Sequence, residues 1–175
     1  MSIQTYGVAD IKKELQHLDN TQLIELCLRL VRHKKENKEL AAYVLFDADN
    51  EAAFTESLVA ENGFMFSQLP YNNYQLAKGL RKILRFLNKY IKFTASKQVE
   101  IELLINFCYN YLQYTGRLTS HKPIRLILTR QLDKIRNAIT KLHEDLQFDY
   151  SQDFNAMIGQ AEENLKWLNT NDYLL

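Results

Sequence analysis

The chain has 175 residues, 46% of them hydrophobic and 25% charged, with a formal net charge of +1. That composition is ample for one ordinary globular domain and excludes a disordered chain. Only five Gly and two Pro occur, too few turn formers for an all-β or doubly wound fold, so the expected class is all-α.

Charge is spread unevenly. Residues 1–75 carry a balance of −4, residues 76–145 of +9 and residues 146–175 of −4. A basic middle between acidic ends points either to an anionic partner or to electrostatic matching within the chain. Cys27 and Cys108 fall in apolar helical segments and are expected to be buried and reduced rather than disulfide-bonded. The opening MSIQTYGVADIKKEL has no basic-plus-apolar signal region, and the longest uncharged run, 103–116, is shorter than a bilayer requires. The expected location is the cytoplasm, with no membrane contact.

In chain order, the spacing of Ile11, Leu15 and Leu18 predicts a short helix over 9–18, and Asp19, Asn20 and Thr21 end it and cap the next. Over 22–33, Leu23, Ile24, Leu26, Cys27, Leu28, Leu30 and Val31 nearly encircle a helix, which predicts a central, covered position. KKENKE at 34–39 is either an elbow or an exposed turn of one kinked helix, after which the apolar spacing resumes to Phe46. Asp49 or Asn50 then caps a helix running towards Gly63. The stretch 64–74, with Pro70 and two Asn, is the expected internal break in an otherwise single domain spanning 1–175.

The segment 73–93 separates apolar from charged residues most sharply. At about 100° per residue, Lys78, Arg81, Lys82, Arg85, Lys89 and Lys92 share one surface, while Leu76, Leu80, Ile83, Leu87, Tyr90 and Ile91 point the other way. A helix over 97–114 follows, closed by Thr115 and Gly116. Pro123 opens a long helix predicted to reach about Leu146, on which Arg130, Lys134 and Lys141 share a weaker basic face. A last helix is predicted over 153–168 from Phe154, Met157, Ile158, Ala161, Leu165 and Leu168.

Six to eight helices joined by short turns predict an irregular multi-helix bundle. The consecutive hairpins also loosely resemble HEAT or armadillo arrays, the alternative architecture, although no period of about 40 residues aligns.

For chemistry, the two basic stripes are the candidate site, because phosphates and other anions are the usual ligands of such a surface. A solvated face, or one matched by the acidic ends, is the plainer explanation. Tyr71, Tyr74, Tyr90, Tyr109, Tyr111 and Tyr114 could stack bases, but such residues are more often core or interface residues. Asp47, Asp49 and Glu51 imitate the start of a calcium loop, yet Ala52 and Leu58 stand where the loop needs Gly and Glu, so capping explains them better. The four His are scattered without zinc spacing, and no nucleophile elbow or phosphate loop is present.

The reading is therefore a non-enzymatic helical interaction module with a basic surface, no cofactor, no metal and no small-molecule substrate, whose partner is a protein. Nucleic-acid binding through the 78–92 face is the alternative, and an enzyme with an unrecognised helical site comes third.

Overall fold

The computed structural model of the chain describes residues 5–115 and 121–175. Among them there are eight α-helices and no strand: α1 (Val8–Leu15), α2 (Asn20–His33), α3 (Lys35–Ala42), α4 (Glu51–Ser67), α5 (Asn73–Thr94), α6 (Lys97–Thr115), α7 (Lys122–Ile139) and α8 (Glu144–Asn164). The fold is an all-α multi-helix bundle. No helix is long and apolar enough to cross a membrane among the described residues. Gly116, expected to close α6, lies outside those residues.

The chain divides into two compact units, 1–47 and 48–175. The stretch 64–74 lies inside the second unit, where it forms the end of α4, a five-residue connection and the start of α5.

In the first unit, Asp19 caps α2 as its residue type predicts. Its Oδ1 accepts from the Gln22 N–H at 2.9 Å, and Gln22 Oε1 accepts from the Asp19 N–H at 3.1 Å, a reciprocal capping box. The 34–39 segment resolves into two helices, because Lys34 is extended (φ −143°, ψ 143°) and breaks the chain between α2 and α3. Asn37 Nδ2 then donates to the Leu30 carbonyl at 2.8 Å and holds the pair together. After α3 the chain widens into a π-helical turn, Tyr43–Asp47.

Two expectations fail here. α2 contains no buried residue, although its apolar residues encircle it, and Cys27 is exposed. The reason is size: among the described residues of this unit α3 is the helix packed closely on α2, and a unit this small cannot surround a helix. Tyr43 is the only buried side chain of the unit among the described residues.

The second unit carries the core, and α6 is its axis. Helices α4, α5, α7 and α8 all pack on α6, whose Ile101, Leu103, Leu104, Phe107, Cys108 and Tyr111 are fully buried. Burial pushes the Cys108 thiol far above its ordinary pKa and keeps it protonated. On α5 the predicted apolar face is the buried one: Leu76, Leu80, Ile83 and Leu87 are at most 1% exposed, Ile91 is buried, and Tyr90 packs half-buried against Phe54, Phe86 and Phe93. Asn72 caps α5 by accepting from the N–H groups of Tyr74 and Gln75.

Helix α4 begins one residue after Asn50, whose Oδ1 accepts from the Ala53 N–H at 3.2 Å, and it continues through Gly63 to Ser67. The connection that follows is pressed onto α5. A Cβ at Gly79 would lie 2.3 Å from Leu69 Cδ2, so glycine is what lets buried Leu69 cover the helix. Tyr114 Oη donates to the Leu69 carbonyl and fixes that backbone. Gly79→Ala is expected to gain helix propensity but force Leu69 off its rotamer, for a net loss of about 1 kcal/mol. Gly63→Ala, with nothing within 4 Å, is expected to gain up to about 1 kcal/mol. Urea midpoints of the two variants moving in opposite directions is the check.

The predicted long helix to Leu146 is corrected. α7 ends at Ile139, residues 140–143 form a turn, and α8 starts at Glu144. The N–H groups of Lys141 and Leu142 bond back to the carbonyls of Ala138 and Ile139, tightening the chain to a three-residue turn. β-branched Ile139 and Thr140 favour that stop, and Glu144 and Asp145 favour a new helix N-terminus. Leu142 stays packed on the core from the turn, which is why the apolar period reads through the break. α8 spans Glu144–Asn164 rather than the predicted 153–168; of the predicted stripe, Phe154, Met157, Ile158 and Ala161 within it and Leu165 just past its end are at most 1% exposed, whereas Leu168 is only partly buried.

Candidate functional site

The basic stripe of α5 stands opposite the face that α6 covers. Lys78, Arg81, Lys82, Arg85 and Lys92 are exposed, and Lys89 is half-buried with its Nζ 4.3 Å from the Tyr90 ring centre. Among the described residues, no carboxylate lies within 4 Å of the ammonium or guanidinium groups of Lys78, Arg81, Lys82, Arg85 or Lys92. These five cations are thus open to solvent.

Helical geometry gives the stripe two different flanks. Towards α4 lies a groove of about 550 Å³, with Phe64, Met65 and Phe86 among its apolar residues and Lys78, Lys82 and Arg85 as its cations. Phe64 is 60% exposed. A single carboxylate, Glu61, borders this groove.

Towards α7 lies a smaller notch of about 320 Å³ lined by Asn88, Lys92, Lys97, Glu100 and Lys134. Here two of the three cations, Lys97 and Lys134, are paired with Glu100. Glu100 is buried on α6; its Oε2 accepts from Lys97 Nζ at 2.6 Å and its Oε1 lies 3.0 Å from Lys134 Nζ. Lys134 Nζ also donates to Asn88 Oδ1 at 2.7 Å. Burial pushes the Glu100 carboxyl up, but hydrogen bonds and charge from Lys97 and Lys134 outweigh it and hold the group below the usual carboxylate range. Ala95, left-handed at φ 51°, makes the tight turn that sets α6 against α5 at this point.

The nine predicted cations therefore do not share one surface. The six on α5 line one helix as predicted. Arg130 is exposed on α7, Lys134 is engaged by Glu100 and Asn88, and Lys141 sits in the turn after α7 rather than on its basic face. Glu100, which locks Lys134, was missed by sequence reasoning because the acid is on a different helix from both the stripe and Lys134.

The tyrosines split by position. Tyr111 is buried and donates to the Ile124 carbonyl at 3.0 Å. Tyr114 stacks at 6.0 Å on Tyr71, which is 82% exposed, and Tyr74 at the start of α5 is 73% exposed. Among the described residues no group of three or more His, Cys, Asp or Glu is placed to hold a metal ion. Comparison of the chain with protein-family models, with curated proteins and with solved structures found no match.

Proposed function

We propose that the chain is a non-enzymatic helical interaction module whose contact surface is the basic face of α5 together with the α4–α5 groove, and whose partner is an acidic protein segment. The observation that carries this reading is that Lys78, Arg81, Lys82, Arg85 and Lys92 are exposed with no carboxylate within 4 Å among the described residues. Cations left without carboxylates beside an exposed Phe64 combine charge attraction with an apolar seat, the chemistry an acidic amphipathic helix requires.

Nucleic-acid binding is the second reading. Exposed Tyr71, just before α5, and Tyr74 in its first turn support this reading, since aromatics near cations can stack bases while the cations meet phosphates.

One experiment separates the two. Fluorescence anisotropy on the full chain compares an acidic amphipathic peptide with a single-stranded oligonucleotide over a salt series. Arg81→Glu combined with Arg85→Glu is expected to weaken binding at least tenfold with unchanged helical circular dichroism, since both side chains are exposed. Peptide binding that also drops on Phe64→Ala supports the protein partner. Oligonucleotide binding with a log–log salt slope of about −0.7 per phosphate supports the second reading. Affinity untouched by the double reversal rejects the stripe as a contact surface.

A further inference from the structure

The notch on the α7 flank of α5 is chemically unlike the α4–α5 groove. Its polar side chains are Asn88 and Lys92 of α5, Ser96 in the turn, Lys97 and Glu100 of α6 and Lys134 of α7. Three ammonium groups meet one carboxylate there, a balance of +2. Glu100 arranges the notch without neutralising it. Its Oε2 is taken by Lys97 at 2.6 Å and its Oε1 by Lys134 at 3.0 Å, so one buried carboxylate pins two ammonium groups side by side.

A count of donors shows what this arrangement leaves over. An ammonium has three N–H groups. Lys134 directs one to Glu100 and one to Asn88 Oδ1 at 2.7 Å, and Lys97 directs one to Glu100, so one N–H remains on Lys134 and two on Lys97. Their side chains are 37% and 50% exposed, which leaves these donors accessible. Lys92 is exposed with no carboxylate within 4 Å among the described residues. Ser96 Oγ accepts from the Val99 N–H at 3.4 Å and keeps its own O–H to donate. Asn88 is spent, its Oδ1 on Lys134 and its Nδ2 on the Leu84 carbonyl at 2.7 Å.

Surplus donors and a balance of +2 call for a compact dianion. The volume of about 320 Å³ stands at the small end of ligand sites. A carboxylate would leave one positive charge unmatched, whereas a phosphate monoester carries about −1.5 to −2 at neutral pH and three strong acceptor oxygens. We propose that the notch binds a phosphate monoester, whose terminal oxygens accept from Lys92, Lys97, Lys134 and Ser96, with Glu100 as the positioning residue for two of the lysines.

The test uses the full chain with no peptide partner present, so it stands apart from the reading of the α4–α5 groove. Titration with N-acetyl phosphoserine amide at about physiological ionic strength is expected to give saturable shifts of the Ser96 and Lys97 amide signals in proton–nitrogen correlation spectra. Lys92→Gln leaves both Glu100 pairs intact and is expected to weaken binding about tenfold, the loss of one charge-assisted bond. Lys166→Gln, exposed and outside the notch, removes the same charge and is expected to change affinity less than about twofold. Raising the pH from about 5 to about 7 completes the second ionisation of the monoester and is expected to tighten binding by up to about tenfold. Glu100 is ionised throughout that range, because Lys97 and Lys134 outweigh the upward push of burial, and no histidine lines the notch. Glycerol phosphate binding as tightly as the phosphoserine amide supports a small-molecule ligand, and much tighter binding of the amide supports a phosphorylated side chain. Shifts that do not saturate, equal losses in Lys92→Gln and Lys166→Gln, or affinity indifferent to pH would each overturn the proposal.

Discussion

Truncating Phe107 to alanine is expected to lower the unfolding free energy by about 3–5 kcal/mol, the range for deleting a buried aromatic ring. Phe107 is fully buried on α6 and meets Phe66 of α4 edge-on, with ring centres 5.2 Å apart and planes at 62°. The loss has two parts. Removing the ring forfeits its transfer free energy, and the space left cannot close because Leu103, Leu104, Cys108 and Tyr111 on the same helix are already buried against other helices. Phe107→Leu keeps most of the volume and is expected to cost under about 2 kcal/mol. Urea denaturation followed by circular dichroism measures both variants. Equal small losses would mean that α4 and α6 do not share a close-packed core.

The second large effect is expected at the Glu100 cluster. Lys134→Met removes an ammonium group that lies 3.0 Å from buried Glu100 and donates to Asn88 at 2.7 Å, leaving Lys97 as the one cation on that carboxylate. Loss of a partner to a buried charge costs a few kcal/mol. Lys134 is 37% exposed, so solvent replaces part of what is lost, and a destabilisation of about 2 kcal/mol is expected. The pH dependence has a definite sign. A carboxyl held below its unfolded value of about 4.3 stabilises the fold fully above that pH, and the contribution is lost as pH falls through the lower folded value. Acid unfolding of Lys134→Met is therefore expected to begin at higher pH than in the parent chain. Coincident acid transitions would show that Lys134 does not hold the Glu100 proton equilibrium.

What was legible in the sequence follows from how local each signal is. The α5 faces could be read directly, because a 3.6-residue period places Leu76, Leu80, Ile83 and Leu87 together and the cations opposite with no help from other helices. Capping by Asp19 and by Asn50 was equally local. The stop of α7 was not, because Leu142 remains on the core from a turn and preserves the apolar period across it.

α2 and α6 make the sharper comparison. The apolar residues of 22–33 predicted a covered helix, whereas 97–114 was expected only as a helix. α6 is covered, by four helices, whereas α2 has no buried residue. The segments also differ in sequence: α6 keeps its charges, Lys97, Glu100 and Glu102, to its first two turns, whereas α2 carries Glu25, Arg29 and Arg32 along its length. The number of neighbours each finds depends on how much chain folds into the same unit.

The candidate surface divides in the same way. That six cations share one face of α5 was fixed by residue spacing, as was the all-α class by scarce turn formers and helical periodicity, because both are properties of contiguous residues. That Lys78, Arg81, Lys82, Arg85 and Lys92 stand without a carboxylate beside them, that Lys134 belongs to Glu100, and that α2 has no buried residue are decided by the tertiary structure. Charge pairing and burial depend on distances between residues far apart in the chain, which pattern alone does not set.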